Sequence, residues 1–386
     1  MARRLSLALL VCMTAALVAG CAGSQGDILI GHFCPMSGDT AAWGQMEIKG
    51  VQLAQDEINA AGGVLGRKIK VISYDDRGDK VEAVNVVRKL ISDKVVAIVG
   101  EQTSSASMAA GPIVANSKIP AIGTAATNPR VTVGEDGKLN PWYFRVCFID
   151  PFQGRALAFY ALKKLNKTKA AILYDIGEDY AVGLAEAFKT NFTELGGQVV
   201  AMETFKGGEE DFRAQLTRIK PLKPDVICIP IYYKEAALAM KQARELGIAA
   251  TFIGGDGLES PTLVELGGIA VEGCVFSSHY SSEDTTPKVR NFIQAFKAKF
   301  NEEPDVNSAL GYDAVYIIVD AIKRAGKADP QAIRDAMEKT KGLECVTGTI
   351  TVDPQTHNPI DKTIVINEVR GGRIAFLERL DVTKLK

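Results

Sequence analysis

The sequence predicts an α/β protein built as two doubly wound parallel-sheet lobes joined by a multi-strand hinge. Three observations carry this. Short β-branched apolar runs alternate with longer stretches of helical periodicity, the alternation runs twice, and helical segments return after the second series ends. Continuous apolar strands separated by helices imply parallel sheet covered on both faces. The chain has 386 residues and 47% hydrophobic content, enough for a large core and a length that suits two domains.

The first series of strand-like runs is 28–33, 69–74, 95–99 and 119–122; the second is 170–174, 199–205, 226–231, 251–253 and 274–277. Helical patterns fall between them at 46–60, 80–92, 152–165, 181–195, 212–220 and 235–246. In the first of these, Val51, Ala54 and Ile58 recur at helical spacing. Glycines mark helix ends at Gly62-Gly63, Gly196-Gly197 and Gly247. The stretch Asn140-Pro141-Trp142-Tyr143-Phe144-Arg145 breaks the pattern between the two series. After Ser277 three helical segments come close together, at 287–300, 308–325 and 330–339. Strand-like stretches at 348–352, 363–369 and 374–377 follow, the last two joined by Arg370-Gly371-Gly372-Arg373 in the manner of a hairpin. The late helices imply a return to the first lobe. The expected division is residues 27–146 with 279–352 as one lobe, and 147–278 with 353–386 as the other. A chain that crosses repeatedly makes a hinge with few degrees of freedom, and strand ends facing a shared crevice form a ligand cleft.

Ahead of this body, Arg3 and Arg4 precede an apolar stretch at 5–18. It is shorter than the roughly 20 residues that span a bilayer and reads as a secretory signal peptide over residues 1–20. Val18-Ala19-Gly20-Cys21 resembles the lipobox of bacterial lipoproteins, which makes Cys21 the lipid attachment point and residues 21–26 a flexible tether. The expected location is the periplasm or cell envelope, with membrane attachment through the N-terminal lipid. The formal net charge is −1, with no basic run or aromatic–basic interleaving, so nothing here attracts nucleic acid. Of the seven cysteines, Cys34, Cys147, Cys228, Cys274 and Cys345 lie in the body, widely spaced. They form no metal or redox motif, and the sequence leaves open whether any two pair.

Signs of catalysis are scarce. No nucleophile elbow, zinc-protease helix, phosphate loop or dinucleotide fingerprint occurs, and His32, His279 and His357 are far apart in sequence. His32, in a strand, reads as a core residue. Four segments stand out instead, each at the end of a predicted strand. Gly100 to Ser107 precedes a helix at 108–116, and its Ser104 and Ser105 serve equally as caps or, with free helix N–H groups, as a carboxylate site. Gly123 to Pro129 contains Ala125, Ala126 and Thr127, small residues that let a ligand approach the backbone beside a hydroxyl. Tyr174-Asp175 leads into Tyr180. Gly254-Gly255-Asp256-Gly257 sets a carboxylate among glycines, in the first instance a turn. Together these provide neutral donors on one lobe and an anion on the other, which suits a zwitterion. A buried ammonium must meet an anion, whereas a carboxylate held by neutral donors avoids a competing full charge.

These segments, with Pro35-Met36-Ser37-Gly38, Ala42-Trp43-Gly44, Asn59-Ala60-Ala61-Gly62-Gly63, Tyr74-Asp75-Asp76, Lys241-Gln242-Ala243-Arg244, Gly311-Tyr312-Asp313-Ala314 and Thr347-Gly348, resemble the leucine/isoleucine/valine-binding protein family of type I periplasmic solute-binding proteins. The resemblance covers residues 27–380. It implies that Ser104 and Thr127 hold a ligand α-carboxylate, and that the Ala125 carbonyl and Asp256 take the α-ammonium, with Tyr232 closing from the second lobe. Trp43, Tyr180 and Asn307 would border the side-chain pocket. Trp43 stands where Tyr is common in the family, Asp256 where some members carry Glu, and Asn307 where an apolar or aromatic residue occurs. Gly78 and Thr103 occupy the places of a disulfide some members carry.

The expected function follows. The protein is a monomeric receptor that binds an amino acid, branched-chain or another small aliphatic one, and delivers it to the transmembrane subunits of an ABC permease without cofactor or catalysis. A sensory or regulatory module for an amide, a short-chain amino acid or an aromatic acid is the alternative.

Overall fold

The computed structural model describes residues 26–360 and 362–385. The expected signal segment, Cys21 and the tether up to residue 25 lie outside the described residues. Strand β1 (Ile28–Cys34) opens the first sheet and is followed by α1 (Ala41–Ala60), β2 (Ile69–Asp75), α2 (Lys80–Ser92), β3 (Ala97–Val99), α3 (Ser104–Ser117), β4 (Ala121–Gly123) and β5 (Tyr143–Arg145). All five strands run parallel in the order β2-β1-β3-β4-β5. The inner strands β3 and β4 are buried at every position, which is why their sequences show unbroken apolar runs. Asp79 caps α2 by accepting from the Val81 and Glu82 N–H groups at 2.8 and 3.0 Å. The Asn140–Arg145 stretch that breaks the sequence pattern contains β5 as the sheet's last strand.

The second sheet is built from α4 (Asp150–Phe159), β6 (Lys169–Asp175), α5 (Asp179–Glu194), β7 (Gln198–Phe205), α6 (Arg213–Ile219), β8 (Val226–Cys228), α7 (Tyr233–Glu245), β9 (Thr251–Gly254), α8 (Pro261–Gly267) and β10 (Val275–Ser278). The chain continues through α9 (Pro287–Phe300), α10 (Val306–Ala325), α11 (Pro330–Glu338), a small hairpin of β11 (Leu343–Cys345) and β12 (Gly348–Ile350), then β13 (Ile364–Arg370) and β14 (Arg373–Leu380). The order is β14-β13-β10-β9-β8-β6-β7, parallel except where β13 pairs antiparallel with β10 and β14. The expected hairpin around Gly371-Gly372 is therefore the edge of this sheet.

The returning helices do pack on the first sheet. Helix α10 crosses α1 so closely that a Cβ on Gly50 would overlap the Ser308 carbonyl oxygen. Beside that crossing the hydroxyls of Tyr312 and Tyr316 donate to Glu57 Oε2 at 2.6 and 2.8 Å. Three connections link the sheets: β5 to α4, β10 to α9, and β12 to β13. In the third, His357 stacks on Phe144 at 3.9 Å and donates from Nδ1 to the Tyr143 carbonyl at 3.0 Å. Lys362 Nζ, buried, donates to the Thr347 carbonyl at 2.8 Å. His357 thus lies against β5 before the chain enters β13. The five body cysteines are all free and buried. Among the described residues no helix is long and apolar enough to cross a membrane.

Candidate functional site

Both sheets present the C-terminal ends of their inner strands to one crevice, where a doubly wound fold leaves room for a ligand. From the first sheet come Trp43 at the start of α1, Gln102 and Ser104 after β3, and Ala125 after β4. From the second come Tyr180, Tyr232 after β8, Asp256 and Gly257 after β9, and His279 after β10. Val306, Asn307 and Leu310 on the first turns of α10 complete the wall. These residues line one small cavity between the lobes. A wider cleft of about 800 Å³ opens beyond Tyr180 and Tyr232, lined by Asp39, Arg77, Asp175, Glu178 and Glu235 at the mouth.

On the first lobe the donors converge at the N-terminus of α3. Thr103 is its N-cap residue, yet no side chain caps the first turn. The Thr103 hydroxyl and N–H instead donate to the Glu101 carboxyl group. Helix N–H groups left in this way attract an anion, and the helix dipole adds to the pull. Ser104 Oγ accepts from the Asn128 N–H at 3.1 Å, so its own proton is free to be donated. Burial pushes the Glu101 carboxyl well above the usual carboxylate range, reinforced by nearby Asp76, itself pushed up to about 7 by burial. The group behind the anion-attracting helix end is therefore held toward its neutral form.

On the second lobe Asp256 supplies the anion. Its Oδ2 lies 2.9 Å from His279 Nε2, while Oδ1 has no partner among the described residues. Since a carboxylate only accepts, Nε2 carries the imidazole proton. Burial lowers the His279 pKa, which keeps the ring neutral beside the carboxylate. Phe148 stacks on the ring at 3.7 Å and holds its plane. The glycines flanking Asp256 have a local reason. A Cβ on Gly255 would collide with the Tyr180 hydroxyl, and one on Gly257 would sit 2.9 Å from it. Without those atoms the Gly257 N–H donates to Tyr180 Oη at 3.0 Å. Tyr180 stacks on Tyr232 at 5.4 Å, and Trp43 meets Tyr232 edge-on at 5.0 Å. The Tyr232 hydroxyl has no partner among the described residues.

Of the residues singled out from sequence, Trp43, Ser104, Ala125, Tyr180, Tyr232, Asp256 and Asn307 line the cavity. Ser105, Ala126 and Thr127 do not appear in its wall. Ser105 Oγ donates to Asp179 Oδ2 at 3.0 Å and accepts from the Asp179 N–H at 2.9 Å, tying the N-terminus of α3 to that of α5. The Ala126 carbonyl accepts from Arg145 Nη1 at 2.7 Å. Thr127 Oγ1 accepts from Gln153 Nε2 at 3.3 Å, and Gln153 Oε1 in turn accepts from Ser277 Oγ at 2.8 Å and from the Asp256 N–H at 3.3 Å. Gln153 thus couples Thr127 on one lobe to the Asp256 turn on the other. Sequence reasoning missed His279, Val306 and Leu310, and it reached Gln102 and Gly257 only as neighbours of Ser104 and Asp256 in their segments, with no role given to either. His279 had a signal, since it directly follows a strand, as did every segment that was found. His32 is core, between Ser73 Oγ at 2.9 Å and Glu47 Oε1 at 3.1 Å.

Two lobes with a cleft at their strand ends make a ligand site, and comparison with known proteins identifies the family. The family model for periplasmic binding proteins matches residues 27–373. The chain belongs to the periplasmic binding protein family. This binding protein is 33% identical over 370 residues to the Leu/Ile/Val-binding protein BraC3 of Rhizobium johnstonii, covering 95% of this chain and 99% of that one. Among solved structures it is similar to the leucine binding protein LivK of Thermotoga maritima, with TM-score 0.86 and 39% identity, covering 92% of this chain and 99% of the other. It is also similar to the branched-chain amino acid transporter substrate binding protein LivJ of Streptococcus pneumoniae in complex with isoleucine, with TM-score 0.85, 36% identity and the same coverage. The expected type I periplasmic binding protein fold and family are thereby borne out.

Proposed function

We propose that this binding protein is an extracytoplasmic receptor that captures an amino acid, branched-chain or another small aliphatic one, between its lobes and delivers it to an ABC permease. The observation that carries the reading is the polarity of the cavity. An uncapped helix N-terminus with a free Ser104 proton lies on one lobe, and the open Oδ1 of Asp256 lies on the other. A zwitterion satisfies both, its carboxylate at Ser104 and its ammonium between Asp256 and the Ala125 carbonyl. The isoleucine complex of LivJ, at 36% identity, supports the same class of ligand. Ser105, Ala126 and Thr127 support the site from behind, through Asp179, Arg145 and Gln153. Because the ligand touches both lobes, its binding favours the closed arrangement, which is the differential affinity a hinge requires.

The lobes move as residues 27–146 with 279–352 and 147–278 with 363–386, and the contacts of His357 and Lys362 argue that 353–362 travel with the first. The protein performs no chemistry on its ligand; the neutral His279 serves to orient Asp256. The motif ending in Cys21 supports removal of residues 1–20 and lipid anchoring at the cell envelope, with the body acting as a monomer. The test is calorimetric titration of purified protein, unfolded and refolded to strip carried-over ligand, against the twenty amino acids and a set of small amides and acids. One-to-one binding of an amino acid is expected. Binding only of an acid or amide that lacks the α-ammonium would overturn the reading.

A further inference from the structure

We propose that Gln153 is a positioning residue for the ligand's ammonium group: it sets Asp256 on one lobe against the Ala125 carbonyl on the other without touching the ligand. The inference rests on the amino-acid reading above and assigns the side chain on which selectivity for an α-amino group depends. Gln153 lies in the first turn of α4, directly after the crossing from β5, and is fully buried. It is not part of the cavity wall. Its surroundings fix the orientation of its amide. The Asp256 N–H only donates, so the amide oxygen faces it, at 3.3 Å, and also accepts from Ser277 Oγ at 2.8 Å. The nitrogen is turned toward Asp150 Oδ1 at 2.9 Å and Thr127 Oγ1 at 3.3 Å. A Cβ on Gly255 would come within 2.8 Å of the amide oxygen, so the glycine before Asp256 gives Gln153 its access to that turn.

Thr127 is held a second time by the same helix end, since its carbonyl accepts from the Asp150 N–H at 3.0 Å. Ala125 lies two residues earlier in that loop. One side chain thus grips both the loop that carries the Ala125 carbonyl and the turn that carries Asp256. Being neutral, the amide bridges the acids Asp150 and Asp256 without adding a charge that competes with the ligand's own. An ammonium held from two sides needs both acceptors at hydrogen-bond distance at once. A ligand without the amino group is indifferent to that spacing.

The experiment is calorimetric titration of the refolded protein with its best-binding amino acid and with the analogue lacking the α-amino group, repeated on Gln153→Met, Asp256→Asn and the double variant. Gln153→Met keeps the length of the side chain and removes its hydrogen bonds. It should weaken amino-acid binding roughly tenfold and analogue binding less than about twofold. In the Asp256→Asn background its effect on the amino acid should shrink to about twofold or less, because the group it positions no longer reads the ammonium. Equal weakening of both ligands by Gln153→Met overturns the proposal, as does an undiminished loss in the double variant; either result leaves the parent's preference for an α-amino group intact. Should Gln153→Met fail to fold, Thr127→Val decides. If Thr127 acts through Gln153, that change weakens the amino acid more than the analogue, whereas equal weakening of the two overturns the proposal. Absence of binding by any α-amino acid in the parent overturns the amino-acid reading and this proposal with it.

Discussion

Replacing Asp256 by Asn tests the zwitterion reading most directly, because the change keeps the shape and removes only the charge. Asp256 Oδ2 is 2.9 Å from His279 Nε2–H, and an Asn carbonyl oxygen in that place accepts the same bond. The amide group then falls where Oδ1 now stands open, and its two hydrogens point at the ligand ammonium. The variant thus loses an attraction and gains a repulsion in a site from which water is excluded. The Asp256 side chain is 8% exposed, so solvent offers little compensation. Losing one partner of a buried charged pair costs about 2–5 kcal/mol. With the shape preserved, about 3 kcal/mol is a reasonable expectation, or roughly a 150-fold rise in Kd. The assay is calorimetric titration of both proteins with the best-binding amino acid and with its analogue lacking the α-amino group. The parent should discriminate strongly against the analogue, and Asp256→Asn should discriminate far less, because the group that reads the ammonium is gone. A Kd within about threefold of the parent, in a variant with unchanged thermal unfolding, would refute the assignment of Asp256.

Other residues give further expected outcomes. Asp179 lies outside the cavity wall but its carboxylate accepts from Ser105 Oγ at 3.0 Å, so Asp179→Ala, which removes that bond and keeps the main-chain ones, should weaken binding roughly fivefold by destabilising closure. The same titration checks this, with lobe closure followed by small-angle scattering. Trp43 donates from Nε1 to the Glu259 carbonyl at 2.9 Å across the lobes, so its fluorescence should shift on ligand addition and the shift should vanish in Trp43→Phe, with Trp142 remaining as an internal reference. Burial pushes the Glu259 carboxyl up to about 8. In the unfolded chain it ionises near pH 4, so between about pH 4 and 8 the native state holds the extra proton and this group's contribution to stability falls as pH rises, by ~1.4 kcal/mol per unit at most. Glu259→Gln should remove that slope, and melting temperatures at pH 5 and pH 8 should converge relative to the parent.

Much of the fold was legible because parallel strands buried on both faces leave unbroken apolar runs, and β1, β2, β6 and β7 appear within a residue of where those runs fall. Strand β5 was not. Its three residues follow Asn140-Pro141, and a short edge strand carries too little pattern to outweigh a turn signal ahead of it. The hairpin of β11 and β12 was half seen for the same reason. The π-turn over Tyr160–Lys164, which ends α4 early, leaves no periodic trace at all.

The site divided along a different line. Residues that follow a strand in sequence, such as Ser104, Ala125 and Asp256, could be found because a doubly wound sheet sends such residues to the crevice. Val306 and Leu310 could not, since they reach the cavity from a helix whose position is set by tertiary packing of α10 on α1. Ser105 and Thr127 were found for their hydroxyls, but a hydroxyl at a cleft has two uses: one faces the ligand and the other faces the opposite lobe. Sequence cannot separate them, because both uses need the same residue in the same loop. The distances can. Ser104 Oγ has a proton left over after accepting from Asn128, whereas Ser105 Oγ both donates and accepts within its contact to Asp179. Adjacent serines on one helical turn therefore divide the labour of a closing receptor, one offering a bond to the ligand and the other locking the lobes that surround it.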